Sequence, residues 1–298
     1  MRRQAVLVLV IISLCSIASS TRADMVRGID MDFVTIGNPG NPGDTRTGYP
    51  PSADPYGCGA VGYEYQIGKY EVTNAQWDAF VSAVGAPTGN PPDAYDKSAY
   101  YTDAQQPTNN VSWYEAAQFC NYLTSGDKSL GAYLFSTNPN EFLGIDRGSA
   151  ISAYGIAYVI PTEAEWYKAA YYTGSGYSTY ANGTDTAPVA GADTNYDDAV
   201  GQPWDVGTGT MEQNGTFDMM GNVWEWNESL YFGSERGVRG GSCYNWGVDL
   251  SSSAVGHYVP YSEGDGGFRV AVVTPAPGAA LLGILGLGSA GWRLRRRR

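Results

Sequence analysis

Gly221-Asn222-Val223-Trp224-Glu225-Trp226 is the stretch on which the reading of this 298-residue chain turns. Arg239-Gly240-Gly241-Ser242 follows it, and Gly267-Phe268-Arg269-Val270 closes the series. Core packing asks only for apolar residues at a helical or strand period. It does not ask for glycines, tryptophans and single charges in a fixed order. The three blocks therefore mark a particular architecture.

Upstream, three helices are announced by one device. Thr73-Asn74-Ala75-Gln76, Ser112-Trp113-Tyr114-Glu115 and Thr162-Glu163-Ala164-Glu165 each place a hydroxyl at the N-cap and Gln or Glu at N3, a capping box. Trp77, Phe80, Val81 and Val84 then fall at i, i+3, i+4 and i+7, and Gly85 supplies the stop. Trp113, Ala116, Ala117 and Cys120 repeat the spacing, which turns Cys120 into the core as a small hydrophobe. Trp166, Ala169 and Ala170 do the same in the third helix. Met31 to Gly37 alternates as a strand, and Val61 to Val72 is a second extended stretch. From Gly174 to Gly215 periodicity fades into Gly, Asp, Asn and Thr. A segment that long is either disordered or organised by something other than helix or strand, and a bound cation is a reasonable organiser. One globular domain over residues 28–274 is the simplest division of the chain.

Both ends read as targeting segments. Met1-Arg2-Arg3, the apolar run Ala5 to Ile17 and the small residues near Ala23 form a secretory signal peptide, 1–23, the alternative being an N-terminal anchor. Over 275–298, Pro275-Ala276-Pro277 precedes an apolar run and a cluster of arginines. A helix over that run is about 22 Å long, short of a comfortable span, and the arginines favour the cytoplasmic side. All 30 acidic residues lie between these segments, whereas eight of the 18 basic ones lie within them, so the domain carries a net charge of about −20. Such a surface disfavours nucleic acid and anionic lipid. His257 is the sole histidine, which excludes a multi-histidine metal site. Cys58, Cys120 and Cys243 remain in the exported part, enough for at most one disulfide, and Cys58–Cys243 is one pairing left open.

Taken together the blocks resemble the formylglycine-generating enzyme, or sulfatase-modifying factor, family. Tyr70-Glu71-Val72-Thr73-Asn74, Val111-Ser112-Trp113, Phe119-Cys120-Asn121, Pro161 to Trp166 and Gly215 to Met219 carry the resemblance along the chain in the family's order. It implies an α+β fold of the C-type-lectin-like class, poor in regular secondary structure, with three capped helices and stabilised by calcium. The C-terminal segment resembles a PEP-CTERM sorting signal, which implies an exosortase-type processing enzyme as partner and display at the cell envelope, with a plain C-terminal anchor as the alternative. Ala276 stands where that signal has Glu.

The family's calcium ligands fall on Asp218, Gly221, Val223 and Glu225, two carboxylates and two carbonyls converging at a glycine turn, which suits a hard cation. A second family site falls on Asn195, the Tyr196 carbonyl and Asp197 or Asp198. The family's enzymes hold Cu(I) between two thiolates, three and eight positions after the GGS turn, because a soft ion needs soft ligands. Those positions are Asn245 and Leu250 here, so copper is not expected. Cys243, Ser242 and Trp224 are the residues left as catalytic candidates, with a formylglycine-generating oxidase acting on sulfatase cysteines as the alternative function. The preferred expectation is a binding domain for a glycan, a peptide or an envelope ligand. Its contact residues would be the aromatics Tyr244, Trp246, Tyr258 and Tyr261 between Ser242 and Gly267.

Overall fold

A computed structural model describes residues 24–46, 58–87, 101–136, 141–262 and 266–275. The expected signal peptide and most of the sorting segment lie outside these residues. All three capping boxes form. Thr73, Ser112 and Thr162 accept from Gln76, Glu115 and Glu165 N–H, and those side chains accept from the N-cap amides in return. They start α1 (Asn74–Val84), α2 (Trp113–Ser125) and the helix Glu163–Tyr171. Gly85 ends α1 at φ 76°, its N–H bonded to Val81 O. Cys120 is fully buried in α2, as its spacing predicts.

A fourth helix, Arg147–Tyr154, was not expected. Asp146 caps it through Ser149 N–H, but N3 carries no Glu or Gln and only Ala150 is buried, so neither a box nor an apolar stripe signals it. It is α3, and Glu163–Tyr171 becomes α4. Every residue of α4 is buried, Glu163, Glu165 and Lys168 included, and those polar side chains are met by Arg239, Arg147 and the Asn38 carbonyl.

The strands differ from expectation in extent. Met31 to Gly37 is divided between β2 (Ile29–Met31), which forms a hairpin with β1 (Asp24–Val26), and β3 (Phe33–Ile36), which joins a sheet. Asp32 separates them, its carbonyl accepting from Lys69 N–H instead of a strand partner. Only Tyr65–Gly68 of the second extended stretch is strand, β4. β5 (Tyr133–Phe135) and β6 (Phe142–Ile145) pair as a small separate ribbon.

Two four-stranded sheets carry the rest. The first has the order β3-β4-β12-β7, all antiparallel, with β7 at Ala157–Val159 and β12 at Ala271–Val273. The second has the order β10-β9-β8-β11, built from β8 (Trp224–Leu230), β9 (Arg236–Arg239), β10 (Gly256–Tyr258) and β11 (Gly266–Gly267). β12 sits between β4 and β7, so the C-terminal residues close the sheet that the N-terminal ones begin. Trp77, Phe80, Phe119 and Phe268 form the centre of the core, with Trp77 stacked on Phe119 at 5.7 Å and Phe268 edge-on to both.

Candidate functional site

The charges of the quoted motifs point inward, at one another. Arg269 of the GFRV block grips Glu225 of the GNVWEW block, Nε to Oε2 at 2.6 Å and Nη2 to Oε1 at 2.5 Å, with both side chains fully buried. Trp166 Nε1 donates to the same Glu225 Oε2 at 2.7 Å. Arg239 of the RGGS block meets Glu163 through Nε at 2.8 Å and through Nη2. Arg147 pairs with Glu165 and Glu228. Each block therefore supplies one half of a buried ion pair whose other half lies in a different block, which fixes their order in space.

The glycines between them are dictated by crowding. Gly221 lies at φ 75°, and a Cβ there would come within 2.1 Å of the Asn195 carbonyl oxygen. Asn222 follows at φ 60° and donates Nδ2 to Glu71 Oε2 at 2.6 Å, while Val223 N–H reaches Glu71 Oε1. This turn places β8 and sets Ser242 opposite it.

Around the turn, carboxylates outnumber cations. Glu71, Glu212, Asp218 and Glu225 are all buried, and Arg269 is the guanidinium they share. Burial, and then the neighbouring Asp218 and Glu225, hold the Glu71 carboxyl well above the usual range. Burial pushes Glu212 up to about 8. Asp218 is raised by burial, although its Oδ1 accepts from Trp204 Nε1 at 2.9 Å and its Oδ2 from Gly207 N–H at 2.7 Å. Among the described residues no three His, Cys, Asp or Glu side chains gather as a metal cage. In the expected set both Glu225 oxygens are taken by Arg269 and Trp166 and both Asp218 oxygens by Trp204 and Gly207, so these carboxylates are spent within the protein and do not fit a calcium ion as they stand. Asn195 of the second expected set is fully buried, and its Oδ1 has no hydrogen-bond partner. The Tyr196 carbonyl already accepts from Ala199 N–H, and Asp197 and Asp198 are exposed in left-handed conformations.

The positions after the GGS turn help to line a cavity of about 340 Å³. Trp224, Trp226, Tyr244 and Tyr258 supply its aromatic walls, and Ser242 and Asn245 its polar ones. Asn245 Oδ1 accepts from both the N–H and the hydroxyl of Ser242, at 2.9 and 2.7 Å. Leu250, at the other position, is fully buried against Gly241. Tyr244 is bonded through its hydroxyl to Tyr101 and to the Gly201 carbonyl, so it is held in place. Tyr258 meets Trp226 edge-on at 6.3 Å. Of the four expected contact aromatics, Tyr244 and Tyr258 line the cavity, whereas Trp246 and Tyr261 are exposed outside its walls. Trp226 was missed. Its alternation with Trp224 marks a strand, and its place on the cavity wall, with Nε1 on the Val111 carbonyl at 2.7 Å, is set by tertiary contacts.

The catalytic candidates separate. Ser242 and Trp224 face the cavity. Cys243 is turned under it, 1% exposed, beside a void of about 10 Å³ shared with Asn109 and Pro203, too small for more than a single water. His257 is committed to Glu235, Nδ1 to Oε2 at 2.5 Å, and stacks on Tyr231. Cys58, Cys120 and Cys243 are thiols, and Cys58 instead bridges to Asp44 in the backbone.

The mixed α+β domain, with few helices, several small sheets and long irregular connections, has the C-type-lectin-like fold. The chain matches the sulfatase-modifying factor enzyme 1-like domain over residues 53–274, and it belongs to that family. A curated relative, the chaperone protein LppX of Paenibacillus barcinonensis, is 28% identical over 185 residues, 55% of this chain and 61% of that protein. Among solved structures, Treponema denticola variable protein 1 superposes with a TM-score of 0.58 at 20% identity, covering 84% of this chain and 98% of that one. CarF gives 0.55 at 22%, covering 82% and 98%. PvdO from Pseudomonas aeruginosa gives 0.55 at 20%, covering 82% and 94%. At such identities the likeness speaks for the fold alone.

Proposed function

We propose that this protein is a non-catalytic, exported binding domain that takes an uncharged polar ligand, a glycan or a neutral peptide segment, into the cavity between Trp224 and Tyr258. The observation that carries this reading is Asn245. An amide locked to Ser242 stands on the cavity wall where the family's enzymes require a thiolate, and among the described residues no charged side chain lines the cavity beside it. Aromatic faces beside fixed hydroxyls and amides recognise ligands that are apolar on one face and hydrogen-bonding at the edges. A relative named as a chaperone is in keeping with a binding role. The signal peptide exports the domain, and the 275–298 segment, processed by an exosortase-type enzyme, displays it at the envelope. The carboxylates expected to hold calcium, Asp218 and Glu225, are spent on Trp204, Gly207, Trp166 and Arg269, so no ion is assigned to them.

Titration with neutral oligosaccharides and uncharged peptides, read by tryptophan fluorescence, tests the cavity. Saturable binding should weaken about tenfold or more in Tyr258→Ala and in Asn245→Ala. Turnover of a cysteine-containing sulfatase peptide by the copper-loaded protein, lost in Cys243→Ser, would instead establish the oxidase and overturn this reading.

A further inference from the structure

At the opposite end of the β8–β9 pair from the aromatic cavity lies a second cleft, of about 480 Å³. The two share no lining residue. Ala60, Val61, Ala164 and Leu230 give the second cleft an apolar body, and Arg236 lies in its wall.

Arg236 differs from the other arginines of the interior. Arg147, Arg239 and Arg269 each meet a carboxylate, but among the described residues Arg236 meets none. It is 7% exposed, and its Nη1 donates to the Glu228 carbonyl oxygen at 2.5 Å. Its Nε is buried with no partner, and among the described residues Nη2 makes no hydrogen bond. The Nε–Nη2 edge is the side of a guanidinium that receives a carboxylate in two parallel hydrogen bonds. Its plane is already held, with Cζ 4.1 Å from the centre of the Trp113 ring.

The first turn of α4 borders the same cleft. In the first turn of α4, Glu163 N–H is taken by Ser229 Oγ and Glu165 N–H by Thr162 Oγ1, which leaves the Ala164 N–H at the positive end of the helix. Two carboxylates also line the cleft, but both are spent. Glu163 accepts from Arg239 and Asn227, and Glu228 from Arg147.

We propose that this cleft is a second binding site, specific for a carboxylate carried on a short apolar body, with Arg236 receiving the carboxylate and Leu230, Val61 and Ala164 the apolar part. The carboxylate meets Nη2 at the cleft wall and draws Nε by a small rotation of the side chain. A short aliphatic acid and the C-terminal residue of a peptide both offer this chemistry.

The test is calorimetric titration of the full domain with hexanoate and with a tripeptide ending in valine, the latter with a free and with an amidated C-terminus. The free acids should bind and the amide should not. Preference for hexanoate identifies a small acid as the source, and preference for the peptide identifies a chain terminus. Arg236→Lys keeps the charge but loses the two-pronged geometry, and should weaken binding about tenfold or more. Leu230→Asp places a like charge at the exposed mouth with the interior untouched, and should do the same. The proposal is overturned if amide and acid bind equally, if Leu230→Asp binds as well as the native protein, or if no free acid saturates by ~10 mM.

Discussion

Around Trp166, charge holds the chain together: Glu163 meets Arg239, Glu225 meets Arg269, and Glu165 meets Arg147. The segment from Gly174 to Gly215 has no such pair inside it and almost no regular structure, yet it is just as firmly tied. Asn214 Nδ2 donates to the Ala169 and Tyr172 carbonyls at 2.9 Å, closing the C-terminus of α4. Gln213 Nε2 reaches the Ala170 carbonyl and Ser178 Oγ, and Asp218 clamps Trp204 and Gly207 from below. Ion pairs join distant blocks of sequence through side chains that read as motifs. The loop is joined by single amides to whatever backbone carbonyls the fold brings near, and those leave no pattern.

The largest effect that would break this contrast is the loss of a motif charge. Arg269→Met leaves Glu225 buried beside Glu71 and Asp218 without its cation, and should cost about 3–5 kcal/mol in urea unfolding. Pairing it with Glu225→Gln should recover part of that loss, because the uncompensated charge is gone. A loss under about 1 kcal/mol would mean that the pair does not hold the blocks together.

In the loop, Asn214→Ala removes one amide and exposes helix-terminal carbonyls. We expect a smaller loss of about 1–3 kcal/mol, with amide exchange accelerating across 174–215 and at the end of α4 while β8 keeps its protection. Uniform acceleration throughout the domain would show that loop and core are one cooperative unit.

The subtlest probe is Lys168, which lies between the two regions. Its side chain is fully buried, with Nζ on the Asn38 carbonyl at 3.0 Å, and burial lowers its pKa from 10.5 to about 8. The folded form thus releases its proton before the unfolded chain does. Between those values the unfolded chain holds more protons, so this residue makes stability rise with pH above about 8. Lys168→Met removes that rise, and thermal unfolding at stepped pH should show the variant losing ground to the native protein above pH 8. Parallel curves would contradict the assignment.

Much of the scaffold was legible before any geometry. Hydroxyl and Glu or Gln at a fixed interval start helices by local hydrogen bonds, so α1, α2 and α4 stood out. α3 did not, because Asp146 caps it without a reciprocal partner and it buries little. The cavity was half legible. Tyr244 and Tyr258 were found from composition, but so were Trp246 and Tyr261, which stand outside it. An aromatic in a loop has the same sequence signature whether it faces a cavity or solvent. Arg236 gave no sign either, since an arginine lacking a partner looks like any other arginine until its neighbours are known.

By itself, then, the sequence determined the family, the helix starts and the absence of a thiol pair after the GGS turn, since these depend on residue identity over short intervals. Only the tertiary structure decided that Arg239 and Arg269 are structural, that Cys243 lies beneath the cavity, and that Asn195 Oδ1 and the Arg236 guanidinium edge lack partners. Those properties belong to contacts between residues far apart in the chain. Burial makes such contacts matter, because a polar group removed from water must be satisfied by its neighbours or by a ligand.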